Sequence, residues 1–385
     1  MTGATPAAAV PLSILDLSPI SSGSTPAQAL RNTVDLARRA EAAGYARYWL
    51  AEHHLATGVA GVSPALVIQL VAAATRRIRV GAGAVQLGHR TPLSVVEEFG
   101  LLDALHPGRI DLGLGRSGFR APGPPGSPAA PQPKPAPRVS EERHTPEGLL
   151  IPAPYDISSL IGSPLLTRYI QLVQFPGADL PEYRAQVEVI QSLIRGDLRT
   201  PEGLEAHALP GEGADLQLWI LGSSGGASAQ AAGALGLPFG ANYHVSPAAV
   251  LEAVDAYREA FVPSEVLDKP HVLVSADVVV AEDDETARRL ASPYGLWVHS
   301  IRSGRGAIPF PSPEEAAAHV WTPQERALVE DRVRTQFAGS ASTVTEQLRV
   351  LQRATGADEL LVTTITHDHA DRVRSLELLA EAWHG

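Results

Sequence analysis

The sequence contains no cysteine. That absence removes disulfides, thiolate catalysis and cysteine-ligated zinc from consideration, although it does not fix a compartment. Also lacking is any cluster of basic residues. The 31 Lys and Arg are outnumbered by 42 Asp and Glu, for a formal net charge of −11 and a pI near 5.6. Nucleic acids and anionic membranes both reward concentrated positive charge, so neither is expected as a partner, and the expected ligand is a small molecule. The stretch Met1 to Val10 has no basic segment and no long apolar run. No signal peptide or membrane span is expected there, and the cytoplasm is the expected compartment. What is present is a globular balance, 44% hydrophobic and 19% charged, with ample material for a core.

At 385 residues the chain suits one large barrel-type domain or two small ones. Short apolar runs that end in Gly, Ser or His alternate with longer segments of helical period, the pattern of βαβ units around a parallel sheet. Eight strands are predicted: Leu12–Leu17, Arg47–Ala51, Ile78–Val85, Ile110–Leu114, Leu216–Leu221, Pro238–Ala241, Val272–Val280 and Glu359–Thr364. Eight suggest a closed α/β barrel, a (β/α)8 TIM barrel, forming a single domain over 1–385. The intervening helices show apolar stripes at Leu30, Val34 and Ala37; at Val250, Val254, Tyr257 and Phe261; at Val344, Leu348 and Leu351; and at Val373, Leu376, Ala380 and Trp383. Two stretches exceed ordinary loop length and read as insertions after strands 4 and 7, 117–181 and 292–342. Within the first, Ala121–Pro137 carries eight prolines in 17 residues, a composition for a surface loop. The more apolar part from Leu149 to Phe175 could fold over the barrel mouth as a lid.

In such a barrel the active site gathers at the C-terminal ends of the strands. Those ends read Glu52-His53-His54, Gly83-Ala84-Val85-Gln86, Gly115-Arg116-Ser117, Gly222-Ser223-Ser224-Gly225-Gly226, Asn242-Tyr243-His244 and Thr363-Thr364. The Gly222–Ser228 turn runs from a strand into an Ala-rich helix. Either its free backbone N–H groups hold a phosphate, or Ser223 or Ser224 simply caps the helix; the residues alone support both readings. Glycines at 81 and 83 inside a strand mark either the close approach of a flat ring or tight barrel packing. His53 or His54 suits proton transfer near neutral pH, against the alternative of a histidine satisfied by loop carbonyls.

Other chemistries find less support. Gly113 to Gly118 matches G-x-G-x-x-G, but no helix opens inside it, so a nicotinamide-dinucleotide site is not expected; Arg116 keeps its interest as a cation beside an anion site. Glu52-His53-His54 shows no third ligand at a sensible spacing, and His367-Asp368-His369 lies past the last strand at a helix start, so no metal is expected. No nucleophile elbow of the G-x-S-x-G type is present.

Five stretches in order resemble the bacterial-luciferase-like flavin monooxygenases over nearly the whole chain. They are Tyr48-Trp49-Leu50-Ala51-Glu52-His53-His54; Ile78-Arg79-Val80-Gly81-Ala82-Gly83; Thr91-Pro92 through Glu97-Glu98; Leu101-Leu102-Asp103 through Gly108-Arg109 to Gly115-Arg116; and Leu218–Pro238. The resemblance implies that His53 is the catalytic histidine and that Gly83-Ala84 forms a non-prolyl cis-peptide bulge under the isoalloxazine ring. It further implies that Arg116, Arg184, Ser224, Gly225 and Ser228 grip the flavin phosphate, and Gly222 and Ser223 of the same turn are added to these cofactor-binding candidates on the reading of the turn itself. Where luciferases carry a reactive cysteine the chain has Gly115, so light emission is not implied.

The activity so implied is oxygenation of a small organic substrate with reduced FMN (FMNH2) and O2 by way of a C4a-peroxyflavin. The absence of a nicotinamide fingerprint suggests a two-component system, with FMNH2 supplied by a separate flavin reductase. A homodimer is expected by resemblance alone. Two rivals stay open: an F420-dependent hydride-transfer oxidoreductase on the same barrel, and a non-catalytic flavin-binding protein.

Overall fold

The computed structural model describes residues 9–116, 141–156, 164–174 and 181–385. The Pro-rich tract lies outside them. Eight barrel strands occur where the sequence predicts them: β1 (Leu12–Asp16), β2 (Arg47–Leu50), β3 (Arg79–Ala82), β4 (Ile110–Gly115), β5 (Gln217–Gly222), β6 (Phe239–Asn242), β7 (Val272–Ala281) and β8 (Glu359–Thr363). Each pairs in parallel with its neighbours in chain order, and β8 pairs with β1, so the sheet closes. Eight helices cover it: α1 (Pro26–Ala42), α2 (Pro64–Ala74), α3 (Pro92–Leu105), α4 (Tyr183–Arg195), α5 (Ala227–Ala234), α6 (Val250–Ala260), α7 (Ala341–Thr355) and α8 (His369–His384).

Local chemistry explains the boundaries. Proline opens α1, α2 and α3, where its missing N–H costs nothing, and the Thr25 and Thr91 side chains accept from Gln28 N and Ser94 N. Gly196 and Gly356 end α4 and α7 at φ 71° and 60°, left-handed conformations that favour glycine.

Strand alternation then sorts the core into two layers. Outward residues such as Ile14, Tyr48, Val80, Leu112, Ile220, Val274 and Leu360 pack beneath the helices. Inward residues Leu15, Trp49, Trp219, Leu273 and Leu361 fill the barrel. Removing a side chain as large as fully buried Trp49 would cost about 3–5 kcal/mol. On α1 the buried face is Ala29, Thr33, Leu36, Ala37 and Ala40, one position from the stripe the sequence suggests. Thr33 tolerates burial because its hydroxyl donates to Ser18 Oγ at 2.9 Å.

The N-terminal end of the barrel is closed by charge. Arg47 donates to Asp111 (2.8 Å) and Glu359 (3.0 Å), Arg79 donates to Asp111 (2.7 Å), and Ser13 donates to Glu359 (2.5 Å). A cavity of about 530 Å³ beside this network is lined by Trp219, His271 and Leu237, among others. It opens at the opposite end from the strand termini that carry the candidate residues.

The two long connections follow β4 and β7. The first supplies a short hairpin, Arg143–His144 with Leu150–Ile151, and a helix, Pro164–Val173. Between β7 and α7 come helices Asp284–Ala291, Pro293–Arg302, Pro313–Ala318 and Pro323–Thr335. They are followed by Phe337–Ser340, a strand the sequence reading took as part of an insertion. It pairs with the outer half of β7, Val278 opposite Phe337, and its Phe-Ala-Gly-Ser composition carries no alternation by which to recognise it.

Candidate active site

Backbone register places the candidate residues on one rim. Gly115 stands opposite Gln86 and Leu221, Gly222 opposite Ala241, Asn242 opposite Ser275, and Asp277 opposite Thr363.

The loop after β2 is pinned by bonds from His53 N to the Gly61 carbonyl (2.9 Å) and from Gly58 N to the Ala307 carbonyl (2.7 Å). A Cβ on Gly58 would lie 1.8 Å from the Ile308 carbonyl oxygen, so only glycine allows this approach. Glu52 is buried and saturated. It takes His54 Nε2 at 3.0 Å, His89 Nε2 at 3.1 Å, Arg90 Nη2 at 3.2 Å and Gln86 N at 2.8 Å. Burial alone would raise its pKa, but these donors outweigh it and hold the carboxyl well below the usual range.

The His53 side chain, by contrast, makes no hydrogen bond among the described residues. Desolvation pushes its imidazole pKa below the ordinary 6.5, His54 adds to the effect and Glu52 opposes it. Its surface is nevertheless open to solvent. Both facts hold for a ring on the wall of a cup, crowded by protein at a distance but in contact with little of it.

The sequence showed no third ligand beside Glu52 and His54, and the fold supplies one. His89, from a turn at Leu87–His89, brings the three ligand atoms within 4.8 Å of one another. Both imidazoles aim Nε2 at the same Glu52 oxygen, and Arg90 already provides the counter-charge. The trio is better described as a neutralised carboxylate than as an open chelate.

Next on the rim is the β3–β4 wall. The Gly83–Ala84 peptide is cis. Pairing runs from Gly81 opposite Asp111 to Val85 opposite Leu114, so Ala82, Gly83 and Ala84 face only Leu112 and Gly113, which makes a bulge. Packing accounts for two of the glycines here. A Cβ on Gly81 would lie 2.4 Å from the Asp111 carbonyl oxygen, and one on Gly113 2.0 Å from that of Ala82. Gly83 and Gly115 are bounded by side chains instead, Leu15 and Trp49 for the former and Ala84 for the latter. The four glycines leave this stretch of inner wall without side chains, a flat shelf above Leu15 and Trp49.

At the β5–α5 turn the helix begins at Ala227 with Gly226 as its N-cap, and no side chain caps it. Neither Ser223 nor Ser224 plays the capping role that was one of the two sequence readings, so the helix start presents uncapped N–H groups. Tyr183, first residue of α4, reaches this turn: its hydroxyl donates to the Leu114 carbonyl (2.9 Å), lies within hydrogen-bonding reach of Ser228 and feels the Arg116 charge. The fold thus gathers Arg116, Ser228 and the Gly222–Gly226 turn, with Tyr183 as a residue the sequence reading missed. Gly222 and Gly225 are needed for packing in any case, since Cβ atoms there would come within 3.1 Å of Ser228 and of Glu252. Arg184 stands apart, half-exposed on α4 and paired with Glu188 at 2.9 Å.

On the opposite side of the mouth the sequence marked the strand ends Asn242-Tyr243-His244 and Thr363-Thr364, but not Asp277, Tyr294 or Arg332. His244 is fixed by Ser275, with Nδ1 2.6 Å from Oγ. Burial drives its pKa down to about 3, helped by Arg332 and His53, which places His244 within electrostatic reach of both. Buried Asp277 accepts from Gln336 Nε2 (3.0 Å) and is pushed up to about 6 by desolvation. Arg332 donates to the Tyr294 hydroxyl through Nε (3.1 Å) and Nη2 (2.5 Å). The hydroxyls of Thr363 and Thr364 are buried without a hydrogen-bond partner among the described residues. One further signal was available: Asp277 is the lone carboxylate in the run Val272–Ala281, which is apolar apart from it and Ser275.

The first insertion partly covers this mouth. Tyr169, on helix Pro164–Val173, donates to Gln86 Oε1 at 2.8 Å, and its ring centroid lies 6.5 Å from that of His54. The hairpin is anchored by Tyr243, whose hydroxyl donates to the Leu150 carbonyl (2.8 Å).

The model of the luciferase-like monooxygenase family matches residues 10–141 and 178–359. The chain belongs to that family. Among relatives, the Bacillus subtilis (strain 168) protein YvbT is 37% identical over 375 residues, covering 97% of this chain and 96% of its own. A luciferase-like monooxygenase of Escherichia coli (strain K12) is 33% identical over 370 residues, 96% of each chain. An N-acetyl-S-alkylcysteine monooxygenase of Bacillus subtilis (strain 168) is 50% identical over 106 residues, 28% of this chain and 32% of its own. The solved structure of apo-MsnO8 superposes with a TM-score of 0.75 at 31% identity, over 97% of this chain and 98% of that one. In fold alone the barrel is also similar to the oxygenating constituent of 3,6-diketocamphane monooxygenase in complex with FMN (TM-score 0.63, 18% identity, 97% of this chain and 98% of that one). An F420-dependent secondary alcohol dehydrogenase is similar in the same sense (TM-score 0.59, 13% identity, 98% and 100%). Among the described residues no helix of this luciferase-like protein is long and apolar enough to cross a membrane.

Proposed function

We propose that this protein is a flavin-dependent monooxygenase that takes reduced FMN from a separate reductase and uses O2 to oxygenate a small organic substrate. The observation that carries the reading is the contrast at His53: a ring with no hydrogen bond among the described residues, on a rim that also offers a bare wall and an uncapped helix start. The residues fit the cofactor's two halves. A flat ring system suits the shelf at Gly83, Ala84 and Gly115, while a phosphate suits the N–H groups at Gly226 and Ala227, the hydroxyls of Ser223, Ser224 and Ser228, and the Arg116 cation. Arg184 enters this set only if it leaves Glu188.

When bound, reduced FMN supplies the two electrons that divide O2 between the oxygenated substrate and water. His53, neutral at neutral pH, accepts and returns a proton at the reacting centre. Glu52, saturated by His54, His89, Arg90 and Gln86, holds the loop that carries His53. Tyr294, Trp297 and Phe310 belong to the apolar cluster that continues from Trp49 and Trp219, and they keep water from the centre. The same reading takes the protein as a cytoplasmic homodimer.

The F420 alternative is kept because an F420 enzyme shares the barrel. Anaerobic titration with FMNH2 and with reduced F420, followed by a pulse of O2, separates the two. The expected result is tight binding of FMNH2 and oxygen-dependent flavin oxidation, with no steady turnover of NADH and FMN by the purified protein alone. Preferential binding of reduced F420, inert to oxygen, would replace this reading with hydride transfer.

A further inference from the structure

One guanidinium at the mouth has no acidic partner among the described residues. In the helices that cap this end, Arg302 is paired with Asp331, and Arg334 with Glu142 and Glu330. Arg332, on the same helix as Arg334, has no carboxylate within 4.0 Å among the described residues; both of its hydrogen bonds, through Nε and Nη2, go to the neutral Tyr294 hydroxyl. It is half-buried, so water alone does not satisfy it. Asp277 lies near enough to interact, yet it accepts from Gln336 and forms no ion pair with Arg332.

Ser275, which holds His244, and Asp277 lie on the same face of β7, and Asp277 is bonded to Gln336, four residues past Arg332, so His244 and Arg332 both stand at the C-terminal end of that strand, with His53 in electrostatic reach of His244. Ser275 holds its Nδ1, and Nε2 has no partner among the described residues. A mouth built in this way has a reactive side at His53 and, past His244, a fixed positive charge with unused donors. Tyr294, Trp297 and Phe310 are buried in the apolar cluster that also holds Trp49 and Trp219, and so back this end of the barrel.

We infer that the substrate carries a carboxylate, which Arg332 binds through its free Nη1, with His244 Nε2 as a second donor in the tautomer whose Nδ1 accepts from Ser275 Oγ, so that its apolar, oxidisable end is directed toward His53. This rests on the monooxygenase reading of the same site, and it gives that reading a substrate class: small apolar carboxylic acids. A carboxylate suits the geometry because the planar guanidinium recognises it directionally, and because an anion would balance a half-buried guanidinium that has no carboxylate within 4.0 Å among the described residues. Arg332 is therefore proposed as a specificity-determining residue.

The test uses the full-length protein loaded with oxidised FMN and follows the flavin absorbance. It is titrated with hexanoate, 4-phenylbutyrate and N-acetyl-S-benzylcysteine, each beside its uncharged primary amide. At least one acid is expected to bind about 10- to 100-fold more tightly than its amide, the range for a hydrogen bond to a charged group. Arg332→Met is expected to abolish that preference while leaving amide binding and FMN affinity unchanged, and Arg332→Lys to restore part of it. The lysine variant also serves if the methionine variant unfolds, a point that thermal melts decide. Equal binding of acid and amide throughout, no binding of either, or a preference that survives Arg332→Met overturns the inference. Failure to bind FMN at all would instead remove the functional reading beneath it.

Discussion

The two ends of the barrel treat polar groups in opposite ways. At the N-terminal end Arg47, Arg79, Asp111 and Glu359 satisfy one another, and Asp111 is fully buried between two guanidinium groups. At the C-terminal end, among the described residues, His53 has no side-chain hydrogen bond, Arg332 has no carboxylate within 4.0 Å, the Thr363 and Thr364 hydroxyls have no partner, and helix α5 begins without a side-chain cap. The same eight strands carry both ends, so fold alone does not cause the difference. A closed network stabilises, whereas unfilled hydrogen-bonding capacity at a concave rim is useful only when something else fills it.

The largest effect expected is on catalysis at the open end. His53→Ala should lower substrate turnover by about 10²- to 10⁴-fold, the usual contribution of a positioned acid or base. Stability should change by less than about 0.5 kcal/mol, because the side chain makes no bond that is lost. Turnover that requires neutral His53 should stay level as pH falls through 6.5 and drop only below it, since the pKa is depressed. Pre-steady-state oxidation of FMNH2 across pH 5 to 8 measures both, and an unchanged rate in the variant would erase the contrast drawn here.

At the closed end the expected loss is of stability. Asp111→Ala leaves Arg47 and Arg79 facing each other with Glu359 as the one remaining acid of the network, and should cost roughly 3–5 kcal/mol. Urea unfolding measures it, and FMN affinity of the folded fraction should be unaffected. If Asp111→Ala instead weakened FMN binding with little loss of stability, the division between the two ends would be wrong.

Legibility followed the same division. All eight barrel strands were readable because period and turn residues report on local structure, and the Gly- and Ser-rich strand ends marked the rim proposed here as the site. What lay beyond reach were partners that arrive from distant segments. His89 completes the Glu52 cluster from 37 positions along the chain, Tyr183 reaches Leu114 across 69, and Arg332 finds Tyr294 across 38. The Phe337–Ser340 strand was missed for another reason: four small or mixed residues carry no period, and only the long β7 gives them an edge to pair with. Arg184, attributed to the phosphate grip by resemblance, lies on a helix face where a local Glu188 at i+4 competes for it.

Asp277 offers the finest test of the comparison, because it is an acid at the open end that the protein holds near neutrality. Burial raises its pKa from 3.8 to about 6, against the opposing influence of Gln336 and Arg332. A raised folded-state pKa means that the native protein holds this proton more tightly than the unfolded chain does. The carboxyl therefore costs nothing below pH 3.8 and becomes destabilising as pH rises through about 6. Asp277→Asn removes the titration while keeping an oxygen for Gln336, so it should stabilise the protein by roughly 1–3 kcal/mol at pH 8 and by almost nothing at pH 4. Urea unfolding at the two pH values decides it. A gain confined to pH 8 would mean that the open end carries a charge at the expense of stability, as a binding site does. Equal effects at both would mean that Asp277 is satisfied like Asp111, and that the asymmetry between the ends is smaller than its partners suggest.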